Sequence, residues 1–277
     1  MSGIRFLKMH GLGNDFVVLD QRAGGESLSP EAVRRIADRH RGVGCDQVLE
    51  IGPSRGNGAA AYLRIHNADG GEVGACGNGT RCVAKLLMAE VGQRRIVIES
   101  RAALLAAELR EGGAIALDMG EPRHLWHEIP LARATDTLHL PIAEGPFRDG
   151  VAVNMGNPHA VFFVEDAECA PLEVLGPKIE HDPLFPERTN VGAAELRADG
   201  SIRLRVWERG AGLTLACGSG ACAALVAAHR RGRAGRKARI VLDGGALEID
   251  WRADNHVVMT GPAETSFTGE LPEEFFR

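Results

Sequence analysis

Cys76-Gly77-Asn78-Gly79 recurs 141 residues later as Cys217-Gly218-Ser219-Gly220, and an Ala-rich stretch of helical character follows each copy. Helices are predicted through Thr80 to Ala89 and through Ala221 to His229. A helix start offers unpaired backbone N–H groups and the positive end of the helix dipole. That field binds carboxylates or phosphates and lowers the pKa of a nearby thiol from its reference of about 8.5. The expected chemistry is therefore two thiols and two anion-binding turns serving one ligand. The other cysteines, Cys45, Cys82, Cys169 and Cys222, read as small buried hydrophobes. Five residues separate Cys76 from Cys82 and four separate Cys217 from Cys222, unlike the short spacing of a zinc knuckle.

The turns are part of a larger duplication. Gly13-Asn14-Asp15-Phe16 answers Gly156-Asn157-Pro158-His159, and Gln47-Val48 answers Asn190-Val191, both at an offset of 143. Arg64-Ile65-His66-Asn67-Ala68 answers Arg205-Val206-Trp207-Glu208-Arg209 at 141, and Met119-Gly120-Glu121-Pro122 resembles Thr260-Gly261-Pro262. Matches in one order at nearly one offset argue for two homologous halves. If these pack about a pseudo-twofold axis, Cys76 and Cys217 face each other across a cleft. One thiol then removes a proton from one face of a carbon while the other supplies a proton to the opposite face.

The elements that must position these residues are short and alternating. Arg5–Met9, Phe16–Asp20 and Ala61–Ile65 read as strands in the first half. Val161–Val164, Ile202–Trp207 and Arg239–Leu242 do so in the second. Gly112-Gly113 and Gly244-Gly245 mark hairpin turns. Ser29-Pro30 is an N-cap and first helical residue leading through Ala32 to Arg39. The pattern is α+β, repeated, with about two helices per half. The halves divide as residues 1–145, carrying Cys76, and 146–277, carrying Cys217. The divide lies in a loop-like stretch near Pro141 to Gly150, and the last strand is a candidate to cross between halves.

Composition narrows the class. Apolar residues are 44% of the 277 and charged residues 25%, the mix of a soluble globular protein. A net charge of −5 gives no electrostatic footprint for nucleic acid. The run Arg230-Arg231-Gly232-Arg233-Ala234-Gly235-Arg236-Lys237 reads as a solvated helix end and loop. No apolar run approaches the roughly 20 residues needed to cross a bilayer. The opening Met1-Ser2-Gly3-Ile4-Arg5-Phe6 lacks the apolar core of a signal peptide. A cytoplasmic protein with reduced thiols is expected.

These motifs also resemble a known family. Lys8-Met9-His10-Gly11-Leu12-Gly13-Asn14-Asp15-Phe16, Asn67-Ala68-Asp69-Gly70 with Ala75 to Cys82, Gly156-Asn157-Pro158-His159, Glu187-Arg188-Thr189-Asn190-Val191, and Glu208 to Gly220 are similar to the signatures of the diaminopimelate epimerases, in family order over essentially the whole chain. The resemblance implies two pseudo-symmetric domains, each a β-barrel-like sheet around a central helix, with the active site in the cleft between them. It implies cofactor-independent interconversion of LL- and meso-diaminopimelate, in lysine and peptidoglycan precursor biosynthesis, by a homodimer with no metal. Cys45 and Leu213 depart from the family pattern, at positions not used on the substrate.

The same resemblance assigns roles. Cys76 and Cys217 are the catalytic thiol pair, and backbone N–H groups of Gly77, Asn78, Gly218 and Ser219 hold the α-carboxylate. Asn14, Gln47, Asn67, Asn157, Asn190 and Arg209 bind substrate, with the Arg209 guanidinium suited to the distal carboxylate. Glu208 contacts substrate ammonium groups and influences the thiols, and His159 supports cysteine ionisation. Proline or hydroxyproline racemases of the same fold are the nearest rivals, but need no arginine for a distal carboxylate. The phenazine-type isomerases lack the paired cysteines. A thiol redox or zinc-binding protein is the alternative from another class.

Overall fold

In the computed structural model of the protein, which describes residues 3–24 and 27–276, the duplication is written into the strand order. Met1 and Ser2, part of the opening read above, lie outside the described residues. The chain divides into two compact units, Met1–Leu117 with Gly261–Arg277, and Asp118–Thr260.

The first unit runs β1 (Ile4–Gly11), β2 (Asn14–Asp20), α1 (Pro30–Ala37), β3 (Gln47–Gly52), β4 (Ala61–Asn67), β5 (Glu72–Val73), α2 (Gly77–Val91), β6 (Arg95–Ser100), β7 (Leu104–Leu109) and β8 (Ile115–Asp118). The second runs β9 (Leu140–Glu144), β10 (Phe147–Asn154), β11 (Pro158–Phe163), α3 (Leu172–Glu180), β12 (Asn190–Leu196), β13 (Ile202–Glu208), β14 (Gly212–Thr214), α4 (Gly218–Arg230), β15 (Lys237–Leu242), β16 (Gly245–Trp251) and β17 (Val257–Gly261). The C-terminal β18 (Glu264–Leu271) returns to the first unit and pairs with β1.

The sheet order is β18-β1-β2-β3-β4-β6-β7-β8 in the first unit and β9-β10-β11-β12-β13-β15-β16-β17 in the second. Each neighbouring pair has the same sense as its counterpart: β2–β3 and β11–β12 are parallel, as are β4–β6 and β13–β15. Among the described residues the two ends of each order do not pair with one another, so each sheet is open.

Each sheet curves over its helix. In α4, Ala221 to Ala228 are all buried, and a helix apolar on every side must be enclosed. It packs on β10, β11, β12, β13, β15 and β16. Helix α2 packs on β1, β2, β6 and β7, and ends at Gly92, whose left-handed backbone (φ 64°) lets its N–H reach Met88 O. Separate apolar clusters line the units: Phe6, Val17, Leu19, Val33 and Ile36 in the first, and Phe147, Phe162, Ile179 and Phe185 in the second.

Several expectations need correction. The stretch from Pro141 to Gly150 is no loop but most of β9 and the first half of β10, joined at Gly145 (φ 57°). Pro141 is tolerated because β9 is the first strand of its sheet. The compact units therefore do not follow a cut between residues 145 and 146: β9 pairs within the second unit, and β18 supplies to the first the strand that β9 supplies to the second. The helices begin three residues before their predicted starts, directly after each cysteine. Cys169 is exposed, its N–H bonded to Asp166 Oδ1 in a turn, whereas Cys45, Cys82 and Cys222 are buried. The Arg230–Lys237 run is not simply solvated. Arg230 donates to Ala152 O and Arg231 to Leu138 O, and Arg236 stacks 4.4 Å from the Trp251 ring centroid. Among the described residues no helix is long and apolar enough to cross a membrane.

Candidate active site

In the first unit, parallel register sets Phe16 beside Gln47, and antiparallel register sets Gln47 beside Asn67. Asn14 opens β2, Gln47 opens β3 and Asn67 closes β4, so three neutral amides gather at one edge. Cys76 is the N-cap of α2, in extended conformation, and its Sγ accepts the Gly79 N–H at 3.5 Å. Gly79 has no room for more: an added Cβ would come within 3.0 Å of Leu49 Cδ2 and 3.1 Å of its Cδ1. The close approach brings the helix start against the strands that carry the amides.

Asn14 Oδ1 lies 3.9 Å from Cys76 Sγ and accepts Asn78 Nδ2 at 3.2 Å. Its orientation is set from behind, because Asn14 Nδ2 donates to Asp46 Oδ2 at 2.9 Å and a carboxylate only accepts. Asp46 is held by Arg39 at 2.7 Å, and Arg39 also grips Asp15. Burial pushes the Asp15 carboxyl up, but hydrogen bonds from Arg39 and Lys8 outweigh it and hold its pKa at about 2. Gln47 Nε2 donates to Asn67 Oδ1 at 2.9 Å. Its Oε1 is buried without a hydrogen-bond partner among the described residues, an acceptor placed for a ligand.

The second unit repeats the frame with different chemistry. Asn157 precedes β11, Asn190 opens β12, Glu208 closes β13, and Cys217 is the N-cap of α4. His159, in the place of Phe16, pairs in register with Asn190. Its Nε2 lies 3.1 Å from Asn157 Oδ1 and 3.0 Å from Ser219 Oγ, which is 3.7 Å from Cys217 Sγ. Burial, with Arg209 adding to it, pushes the His159 pKa down to about 3, so the imidazole is neutral. Cys217 lacks the side-chain cap bond that Cys76 makes. Burial, and after it the Glu208 carboxylate, raise the Cys217 thiol well above its ordinary value. The expectation that a helix start lowers both thiols therefore fails for Cys217, because exclusion from water and a neighbouring anion outweigh the lowering influence of Ser219 and of the Gly220 backbone.

Glu208 Oε1 accepts the Thr214 hydroxyl at 2.5 Å. Asn190 is buried with both amide ends engaged: Nδ2 donates to Pro158 O and Oδ1 accepts the Arg209 N–H, each at 2.9 Å. The exposed Arg209 extends from this anchored backbone, with Nη1 on Glu187 O at 2.8 Å. Arg209 and Glu187 line a cavity of about 410 Å³ with Arg123, His127 and Asn154. Leu213 sits opposite Trp207 and packs on the apolar cluster of this unit. Among the described residues no three His, Cys, Asp or Glu side chains cluster to hold a metal ion.

Asp46 and Thr214 were missed in the sequence, although a signal existed. At the repeat offsets Asp46, a carboxylate, stands opposite the neutral Thr189, and Thr214 opposite the apolar Val73, and a change of charge or polarity across a duplication marks where the halves diverged.

The family model described as "Diaminopimelate epimerase" matches residues 6–125 and 151–266. The chain is 60% identical over 266 residues to a protein of that name from Acidiphilium cryptum, covering 96% of this chain and 95% of the other. Its identity to one from Rhodospirillum centenum is 56% over 269 residues, covering 97% and 92%. A crystal structure of a hydroxyproline epimerase from Agrobacterium vitis is similar in fold, with a TM-score of 0.71 at 17% identity, covering 98% of this chain and 91% of that one.

Proposed function

Because this chain belongs to the diaminopimelate epimerase family, and is thus an isomerase, we propose that it interconverts LL- and meso-2,6-diaminopimelate with two thiols and no cofactor. The observation that carries this reading is the paired placement of Cys76 and Cys217 as N-caps of the two helices enclosed by equivalent sheets.

An amino-acid α-hydrogen is a very weak acid, so preorganised dipoles must stabilise the charge that forms when it leaves. Backbone N–H groups of Gly77, Asn78, Gly218 and Ser219 belong to the first turns of α2 and α4, where helical partners are lacking. They receive the α-carboxylate. One sulfur takes the α-proton as thiolate and becomes a thiol, and the opposing thiol gives its proton to the other face and becomes a thiolate. The charge is conserved and the configuration inverts. Cys217, pushed up by burial and by Glu208, suits the proton-donating role, and Cys76, whose Sγ accepts the Gly79 N–H, suits the base. The roles exchange in the reverse direction.

Recognition of the rest of the substrate falls to unlike residues. Asn14, Gln47, Asn67, Asn157 and Asn190 provide a neutral amide environment suited to a zwitterion. The unpartnered Gln47 Oε1 and the Glu208 carboxylate accept from ammonium groups, and Arg209 faces the distal carboxylate. The same reading puts the enzyme in the cytoplasm, in lysine and peptidoglycan precursor biosynthesis, as a homodimer. Incubation in D₂O with LL-diaminopimelate, meso-diaminopimelate or L-proline tests it, with loss of the α-proton signal followed by NMR. Loss with both diaminopimelates and not with proline is expected; loss with proline alone would overturn the substrate assignment.

A further inference from the structure

Glu180, the last residue of α3, is only 3% exposed. A carboxylate in such a place must be paired or hydrogen-bonded. Its oxygens divide their work: Oε2 accepts the Trp207 indole N–H at 2.7 Å, and Oε1 accepts the Gly210 backbone N–H at 3.1 Å. Arg188 Nη1 lies 3.8 Å from Oε1. Trp207 and Gly210 are the residues on either side of Glu208-Arg209.

We propose that Glu180 is a positioning residue whose buried carboxylate ties the two ends of the turn bearing Glu208 and Arg209, fixing where those side chains meet substrate. This rests on the substrate reading above, in which both are contacts. The turn is seated on the same helix from another side, because a Cβ on Gly176 of α3 would come within 2.6 Å of Trp207 Cγ. The first unit supplies the contrast. Ala37 stands at the place of Glu180, and the corresponding turn carries Asn67 and Ala68. There α1 meets the turn through Arg34 Nη1, which donates to Asp69 O at 3.1 Å, and through Pro30, which a Cβ on Gly70 would approach to 2.6 Å, with no carboxylate tying its two ends among the described residues. The two-ended carboxylate clamp is found in the half whose turn displays two charged groups.

Glu180→Gln tests it, since the amide keeps the volume but turns one acceptor into a donor facing an N–H. Its kcat/KM for diaminopimelate is expected to fall about 10- to 100-fold, chiefly through KM, as expected when recognition groups are misplaced by about an ångström. Adding Trp207→Phe removes the N–H that faces the new amide donor but also one tie, so E180Q/W207F should recover KM only to the raised level of W207F alone. A purely structural carboxylate would lower the melting temperature and leave KM unchanged, and that result overturns the proposal. If E180Q does not fold, W207F alone serves, with a raised KM expected and an unchanged KM contradicting.

A readout without substrate separates this proposal from the reading beneath it. In a Cys76→Ala background, the pH profile of Cys217 alkylation, resolved by peptide, should move to lower pH in E180Q as Glu208 loses its fixed place beside the thiol. If that profile moves but the native enzyme leaves diaminopimelate untouched, the substrate reading falls and Glu180 keeps its role. If the native enzyme epimerises diaminopimelate while E180Q changes neither KM nor profile, Glu180 has no positioning role.

Discussion

The His159 ring and the Ser219 hydroxyl meet at 3.0 Å, and the same Nε2 lies 3.1 Å from Asn157 Oδ1. An amide oxygen only accepts, so Nε2 carries the hydrogen and the Ser219 hydroxyl is left to donate toward Cys217 Sγ, 3.7 Å away. A neutral imidazole thus fixes the direction of the hydroxyl beside the Cys217 sulfur.

This burial has a consequence for stability against acid. The unfolded histidine binds a proton below about 6.5, while the folded ring stays neutral until about 3. Its contribution is complete above the unfolded value and is lost as pH falls through that window, by at most about 1.4 kcal/mol per pH unit. Denaturant unfolding of the native protein and His159→Gln between pH 7 and pH 4 checks this. The native curve should fall more steeply, and parallel curves would contradict a neutral buried His159.

Asp46 controls the side chain that faces the other thiol. In Asp46→Ala the Asn14 amide loses the acceptor that holds its Nδ2 at 2.9 Å and is free to turn its oxygen away from Cys76. A drop in kcat/KM of about tenfold is expected, within the range for misplaced groups. The carboxylate is 45% exposed, so stability should change by no more than about 1 kcal/mol. Steady-state kinetics beside a melting curve separate the two, and a large loss of stability with unchanged kinetics would point the other way.

The thiols should differ in reactivity before any substrate is added. Cys217 is 3% exposed and held protonated by burial and Glu208, whereas Cys76 is partly exposed and Cys169 exposed. Iodoacetamide near neutral pH should therefore label Cys76 and Cys169 well before Cys217, as read by peptide mass spectrometry. Equal labelling of Cys76 and Cys217 would count against their asymmetry.

Packing at the first helix start gives a stability test. Gly79→Ala gains helix propensity of about 1 kcal/mol. It also forces a methyl to within 3.0 Å of Leu49, and overpacking costs about 1–3 kcal/mol. A net loss is expected in thermal or denaturant unfolding; a gain would show that Leu49 moves aside freely.

The parts legible in the sequence were those written locally. The cysteine turns, the serine-capped α1 and most central strands announce themselves by glycine, capping and alternation, and the two copies support each other. Helix α3 is covered only by the expectation of about two helices per half and not placed, since Gly176 and Pro177 inside it are poor helix formers, although Gly176 is there to admit the Trp207 ring. The last strand is a candidate to cross between halves from the sequence, but its partner is not legible: β18 pairs with β1 across more than 250 residues, and no local pattern signals such a pairing. Glu180 and Asp46 were silent for a similar reason: each acts on a turn or amide brought to it by the fold. The high pKa direction at Cys217 was hidden as well, because burial and the approach of Glu208 are properties of packing rather than of the cysteine turn itself.

In the proposed mechanism Cys76 and Cys217 exchange protons with the substrate carbon from two sides. Turnover of LL-diaminopimelate in D₂O by the native protein, Cys76→Ala and Cys217→Ala, analysed by mass spectrometry and NMR, tests it most directly. The native enzyme should yield meso product with deuterium at the inverted carbon, and each variant should lose epimerisation by about 10²- to 10⁴-fold, as for removal of a positioned acid or base. Meso product without deuterium, or near-native epimerisation by either variant, would contradict the two-thiol account.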